Sequence, residues 1–417
     1  MTIAHGARAA ILITIIAAPA YGIRGTIVGI PVTVTELCVA LSAVLTVYAV
    51  LRTTTPASPR RYIAGYQGVG IGGLFLLAGV ILGTIIGGDL RMGLGILKGW
   101  ILTPMVFFIT LSVAYHYAII NGRDVLRALV VSGALLSIIS LLPSPDAITY
   151  DHRLRGIFSS PNYLGLFLAP LLPLALYSAR YCTSHHQKRW VVRWFPLLSA
   201  GVIALVLLWT KSISAILVSA IGAALIYTHR MTIPALVRIA GIVGSVIVCC
   251  MILWWNTPRI QDFLTHPERS SLASRQMIYI SALSMVRDHP LIGIGPGRFQ
   301  DVYLEYQTRF PPYLEWAVPQ PHNILLAFHL NSGVLGVLGL LIVIVTVLTQ
   351  RTPTPLHRAA NIALLVILLH GISDTPYWKN DLSLITWTLL FLSLHRQETV
   401  TTCASTTTGG TRPGSPK

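Results

Sequence analysis

Long apolar runs separated by short polar stretches recur from one end of the chain to the other. Each run is near the ~20 residues needed to cross about 30 Å of hydrocarbon. They predict helices over 8–23, 31–51, 67–87, 99–120, 124–142, 161–180, 195–210, 212–229, 234–256, 322–349, 359–373 and 381–395. Helices 195–210 and 212–229 are separated only at Thr210-Lys211-Ser212, which fits one bent helix or a tight re-entrant. The one long stretch between apolar runs is 257–321. Within it, 271–288 reads as an amphipathic helix, with Met277, Ile278, Ile280, Leu283 and Val286 apolar against Arg275 and Arg287. Such a helix can lie in a membrane interface. The expected fold is an all-α polytopic membrane protein of about twelve transmembrane helices. Its long outer loop falls between helices 9 and 10. The transmembrane domain covers 1–396, and the Thr/Gly/Ser/Pro-rich tail 397–417 is expected to be disordered. No internal repeat is evident, so the inverted symmetry of many transporters is not expected.

Composition strengthens this reading. The 417 residues are 54% hydrophobic and only 11% charged, whereas soluble domains carry about 25% charged residues. The net charge of +16 would suggest nucleic acid in a soluble protein. No basic-aromatic module is present, so nucleic acid is not an expected partner. The excess instead lies in short loops, where it sets orientation and meets anionic headgroups. One set of alternate loops holds Arg52, Arg60, Arg61, Arg123, Arg127, Lys188, Arg189, Arg193, Arg230, Arg238, Arg351 and Arg358, with Asp124 almost its only acid. That face is expected in the cytoplasm, with both termini. The other face carries Asp89, Asp146, Asp151, Asp374, Asp381 and the acids of the long loop, and is expected outside. Arg8 and the stretch Ala9 to Ala20 lack a clear cleavage site, so a retained first helix is expected. Cys38, Cys182, Cys249, Cys250 and Cys403 show neither CxxC nor Cys/His metal spacing.

Basic residues on the outer face run against the loop bias and need a reason. Arg153 and Arg155 precede the helix near Pro161, Lys211 lies between two apolar runs, and Arg275 opens the amphipathic helix. A cation near the membrane marks an anion site by default, and arginine grips phosphate bidentately. A diphosphate on a polyprenyl carrier would sit at this depth. Snorkelling to headgroups is the competing account. His322 stands in Pro319-Gln320-Pro321-His322-Asn323, where the long loop enters the next helix. Histidine is the usual general base near neutral pH, although on spacing alone a structural hydrogen bond at the helix start is the simpler account. His329 and His370 read as packed or pore-lining. Gly293-Ile294-Gly295-Pro296-Gly297 lacks a strand-turn-helix setting and reads as a tight turn rather than a nucleotide loop. Gly333, Gly336 and Gly339 suit close helix packing, and Trp254-Trp255-Asn256 suits interfacial anchoring. No DxD motif, P-loop or GxSxG elbow is present.

Four blocks together resemble the O-antigen ligase and O-antigen polymerase family. They are Arg155-Gly156-Ile157-Phe158-Ser159-Ser160-Pro161-Asn162; Thr210-Lys211-Ser212; Ser274-Arg275 with His289-Pro290-Leu291-Ile292-Gly293-Ile294-Gly295-Pro296-Gly297-Arg298-Phe299; and Pro321-His322-Asn323-Ile324-Leu325-Leu326 followed by Gly333 and Gly336. The resemblance spans roughly 150–345. Lys211 stands where the family often has arginine, and no tryptophan follows Arg275. The resemblance implies a metal-independent glycosyltransferase without cofactor, in the bacterial inner membrane. It would move a glycan from undecaprenyl diphosphate, with inversion, to a hydroxyl of lipid A core or of a second lipid-linked glycan. Carried over residue by residue, Arg275 and Lys211, with Arg155, would hold the diphosphate. His322 would take the acceptor proton, supported by Asn323, Arg153 and Arg298. A flippase of the lipid-linked glycan is the competing class; it would line a cavity at the membrane midplane with charge. Here the unusual charges gather at the outer surface instead.

Overall fold

A computed structural model describes residues 2–52, 66–181, 190–228, 240–241, 244, 271–310, 318–350 and 354–395. The predicted helix 234–256 with Trp254-Trp255-Asn256, the loop stretch holding Arg259 and Arg269, Cys182, Cys249, Cys250, Cys403 and the tail 397–417 lie outside the described residues.

The other eleven predicted apolar helices are present. Six are long and apolar enough to cross a membrane, and five are shorter. In chain order they are α1 (Thr2–Ile16), α2 (Val34–Leu51), α3 (Gln67–Gly87), α4 (Leu90–Ile96), α5 (Thr103–His116), α6 (Gly122–Leu141), α7 (Pro161–Leu168), α8 (Leu171–Tyr181), α9 (Trp190–Thr210) and α10 (Ile213–Thr228). After the long loop, α11 (Ser271–Asp288) and α12 (Phe299–Tyr306) precede α13 (Ile324–Thr349), α14 (Pro355–His370) and α15 (Asn380–Leu394). The π-helical stretch Leu97–Leu102 joins α4 to α5 into one 27-residue span.

The caps explain several helix starts. Thr33 and Glu36 form a capping box on α2, Asn121 caps α6, Ser160 caps α7 and Thr354 caps α14; each side chain satisfies an amide that the helix itself leaves unpaired. Apolar periodicity did not reveal that the first predicted helix ends early. It stops at Ile16, and a 3-10 turn (Ala18–Gly22) leads into an antiparallel hairpin, β1 (Arg24–Ile27) and β2 (Ile30–Thr33). Four-residue strands are too short to outweigh an apolar run in a sequence reading.

Contacts divide the bundle into two ends. At one, Arg8 pairs with Asp124 at 2.9 Å, the Arg180 guanidinium donates to Tyr227 O at 2.9 Å, and the Tyr66 hydroxyl meets His395. At the other end lie the hairpin, the Lys98–Glu36 pair at 3.0 Å, the α9–α10 turn and the long loop.

The long loop is held by a break in α13. Gly333 has φ 63° and ψ −163°, so the helix is interrupted there. The freed backbone groups pair with the loop: Ile294 N–H donates to Leu330 O at 2.9 Å, and Val334 N–H to Leu291 O at 2.9 Å. The Asn331 side chain accepts from Gly297 N–H at 3.0 Å. Non-helical backbone at such a depth is stable only where other protein groups satisfy it. A Cβ on Gly333 would lie 2.3 Å from Leu291 O. The five-residue turn is therefore a plug in the helix break. It anchors α11 and α12, whose Met277, Ile278, Ala282, Met285, Phe299 and Tyr303 form a small core of their own.

Candidate functional site

The segment Pro321–Asn323 folds onto the α14–α15 connection, residues 371–379. Ile324 N–H donates to Gly371 O at 2.7 Å. Asn323 caps α13 through Leu325 N–H and Leu326 N–H, while its amide donates to Ile372 O at 3.2 Å. From α11, the Tyr279 hydroxyl bridges His322 O at 2.8 Å and Ile372 O at 3.2 Å. His322 is held at φ +50°. Such a conformation costs a non-glycine residue of the order of 1 kcal/mol or more, and strain of this kind gathers at functional sites.

The staple aims the imidazole. His322 Nδ1 lies 3.0 Å from Asp374 Oδ1, and the Thr375 N–H donates to the same oxygen at 2.9 Å. Asp374 is 3% exposed and His322 27%. Burial would raise the Asp374 carboxyl, but the His322 hydrogen bond, the charges of His322 and His370 and the Thr375 amide outweigh it and hold it at about 2. An ionised carboxylate can only accept, so Nδ1 carries the proton. In the neutral imidazole Nε2 is then the free lone pair, and it has no protein partner among the described residues. A buried carboxylate fixing one imidazole nitrogen while the other faces outward is the arrangement of an oriented general base.

Two cations of the predicted set are left without a protein partner among the described residues. Arg275, one helical turn before Tyr279, is half-buried and has no hydrogen bond or ion pair among the described residues. Its charge reaches both Tyr279 and His370. Burial raises the Tyr279 phenol; Arg275 opposes this and Asp374 adds to it. Lys211 stands at φ +50° in the sharp turn between α9 and α10, which settles that pair as two helices. Its ammonium is likewise unpartnered among the described residues. The turn meets the His322 side through Ser214, whose hydroxyl is 3.3 Å from His370 Nε2.

The remaining predicted cations already have partners in the fold. The Arg153 guanidinium donates to Thr210 O at 2.9 Å and to Asn162 Oδ1 at 2.7 Å, so it fixes the Lys211 turn. Arg155 is engaged by Asp146, through its backbone oxygen and its carboxylate at 3.4 Å. Arg298 is tied to Gly87 O at the end of α3. His329 Nε2 is 2.8 Å from Pro290 O and secures the end of α11. In α11, Ile280 and Leu283 are exposed while Ala282 and Met285 are buried. The predicted apolar face is therefore only partly the buried one: Met277, Ile278 and Val286 pack into the small core, while Ile280 and Leu283 stay outside.

Sequence reasoning did not single out Asp374, Tyr279 or Lys379. Lys379 Nζ sits 3.7 Å from the Tyr163 ring centre, 4.8 Å from that of Phe158 and 4.9 Å from that of Tyr21. This cation–π cage ties the first connection, α7 and the start of α15 together behind the His322–Asp374 pair. Burial lowers Lys379 to about 8, with Asp381 opposing. A signal was available: Lys379 is an outer-face cation, and the loop-bias argument applied to Lys211 applies to it equally. Among the described residues, no group of three or more His, Cys, Asp or Glu is gathered for a metal ion.

Residues 197–341 match the family model described as O-Antigen ligase. The match takes in the α9–α10 turn, the Arg275 helix, the glycine turn and the His322 segment. No curated protein matches the chain.

Proposed function

We propose that this chain, whose residues 197–341 match the O-Antigen ligase family model, is a ligase-type transferase that moves a glycan from undecaprenyl diphosphate to a hydroxyl of lipid A core or another surface acceptor. The acceptor hydroxyl lies against His322 Nε2, which takes its proton. The acceptor oxygen attacks the anomeric carbon from the face opposite the leaving group, and the bond from that carbon to the diphosphate oxygen breaks with inversion. The electron pair goes to the diphosphate, whose growing charge meets Arg275 and Lys211. Fixed cations pointed at developing charge do the work a divalent ion does elsewhere, so the reaction runs without a metal. Asp374 stabilises the imidazolium that forms.

One observation carries this reading: the buried Asp374 carboxylate orders His322 at 3.0 Å and leaves Nε2 free. A site for passage through the membrane would not need an oriented base at one end of the bundle. By the same loop-charge argument the site faces the outside of the inner membrane, with both termini in the cytoplasm.

The test is transfer by the purified protein, with undecaprenyl-diphosphate glycan as donor and both lipid A core and a second lipid-linked glycan as acceptors. Glycan on lipid A core supports the ligase. Elongated lipid-linked chains would make it the family's polymerase. Unchanged transfer by a folded His322→Ala protein would remove His322 as the base.

A further inference from the structure

A cavity of about 460 Å³ lies beside the Lys211 turn, between the ends of α6 and α9 and under the α6–α7 loop. Its wall is mainly apolar: Leu141, Leu142, Ala147, Ile148, Leu154 and Trp209. Ser140, Ser144 and His152 are among its few polar lining residues. The volume is within the ~300–1,000 Å³ usual for small-ligand pockets. It does not include the His322–Asp374 pair.

The cavity opens on the side of the bundle. Leu142 is 56% exposed, Ile148 57% and Trp209 52%. The same flank continues down both helices as Leu135, Ile138 and Ile139 on α6 and Leu205 and Leu208 on α9, all exposed. On a membrane-spanning bundle, exposed apolar stripes of this kind face lipid hydrocarbon. The cavity is thus an apolar recess entered from the bilayer.

A cation sits next to it. Lys211 is two residues beyond Trp209, and the cavity wall and that turn are joined by two hydrogen bonds. Leu154 N–H donates to Trp209 O at 3.0 Å, and the Arg153 guanidinium to Thr210 O at 2.9 Å. An unpartnered ammonium beside a lipid-accessible apolar recess matches a molecule with an anionic head joined directly to a hydrocarbon chain.

We infer that this recess seats the phosphate-proximal isoprene units of the lipid-linked donor, with their diphosphate at Lys211. The inference rests on the transfer reading above and adds what that reading lacks, a determinant of carrier-lipid specificity. Bulk phospholipid is the competing occupant, and the experiment is designed to separate the two.

The donor is prepared with a diazirine on its first isoprene units, photolysed with the purified wild-type protein in phospholipid-containing micelles, and its adducts mapped by peptide mass spectrometry. Adducts within 140–154 and 205–211, undiminished by added phospholipid, are expected. Adducts elsewhere, such as around Phe108 and Trp387 in the cavity of about 300 Å³ at the other end of the bundle, would overturn the inference. So would adducts abolished by phospholipid.

A second measurement uses Leu142→Trp and Ile148→Trp, which fill the recess from exposed positions. The donor KM should rise about tenfold with kcat retained, roughly what two methylenes expelled from apolar contact are worth. A donor whose prenyl chain is replaced by a methyl group should show no such change. Equal effects on both donors, or none, would sink the idea. Adducts in the recess without any transfer by the wild type would refute the transferase reading and leave the lipid site standing. Transfer with adducts elsewhere would do the reverse.

Discussion

Replacing Asp374 with Asn tests the catalytic reading most directly, because it removes one charge and little else. The amide oxygen can still accept from His322 Nδ1–H and Thr375 N–H, at present 3.0 and 2.9 Å. The variant loses the carboxylate's attraction for the imidazolium that forms when His322 takes the acceptor proton. The magnitude follows from the carboxyl itself. Its fall from the ordinary carboxylate value to about 2, against a burial cost that raises it, corresponds to roughly 2 kcal/mol of interaction with its partners, since one pKa unit is about 1.4 kcal/mol. Asp374 is almost wholly buried, so little of this is lost to solvent screening. If that energy is realised in the transition state, kcat falls on the order of 30-fold. The donor KM should hold, because the hydrogen bonds of Asp374 run to His322 and Thr375 and not to Arg275 or Lys211. The assay is initial-rate glycan transfer in detergent with varied donor, beside thermal unfolding of each variant. Combining the change with His322→Ala should add almost nothing to the loss from His322→Ala alone, since the two residues act as one unit. A kcat within threefold of wild type would refute the reasoning, as would a full additional loss in the double variant. The pH dependence has a definite sign: a carboxyl depressed in the folded state stabilises the fold above its unfolded value near 4, and that contribution disappears as pH falls from about 4 to about 2.

Other outcomes are expected from the same geometry. Arg275→Lys loses the bidentate fork and should cut kcat/KM for the donor at least tenfold; Arg298→Lys should cost far less in transfer, because that guanidinium holds Gly87 O. Equal small losses in the two would mean that Arg275 only touches headgroups. Gly333→Ala should destabilise by roughly 3 kcal/mol or more, through backbone strain and the clash with Leu291 O; fluorescence-detected size exclusion after heating reads this, and a wild-type midpoint would contradict the plug. EDTA should leave transfer unchanged, whereas a loss restored by magnesium would reject the metal-free scheme.

What the sequence determined by itself is the part of the protein governed by one element and its solvent. The bilayer demands a long apolar run for each crossing, so the helices were visible in periodicity, as was α11 at Ser271–Asp288, which occupies the residues expected. Gly293-Ile294-Gly295-Pro296-Gly297 was legible as a turn, and Pro321-His322-Asn323 as a helix entrance, because glycine, proline and capping chemistry are local. Tertiary structure decided what those local pieces meet. The gap in sequence between His322 and Asp374 spans 52 positions, and nothing in either helix's periodicity pairs them. Gly333 read as a packing residue because small size is all a sequence shows; its use as a break that accepts the glycine turn depends on backbone groups of two segments. Which apolar residues of α11 are buried, Met277 and Ile278 but not Ile280 and Leu283, is likewise decided by what the helix packs on. Among the outer-face cations, Lys211 and Arg275 differ from Arg153, Arg155 and Arg298 only in whether a neighbour already satisfies them. An arginine's partners are a property of the folded surface, so only the fold could separate the cations without a partner among the described residues from those already engaged.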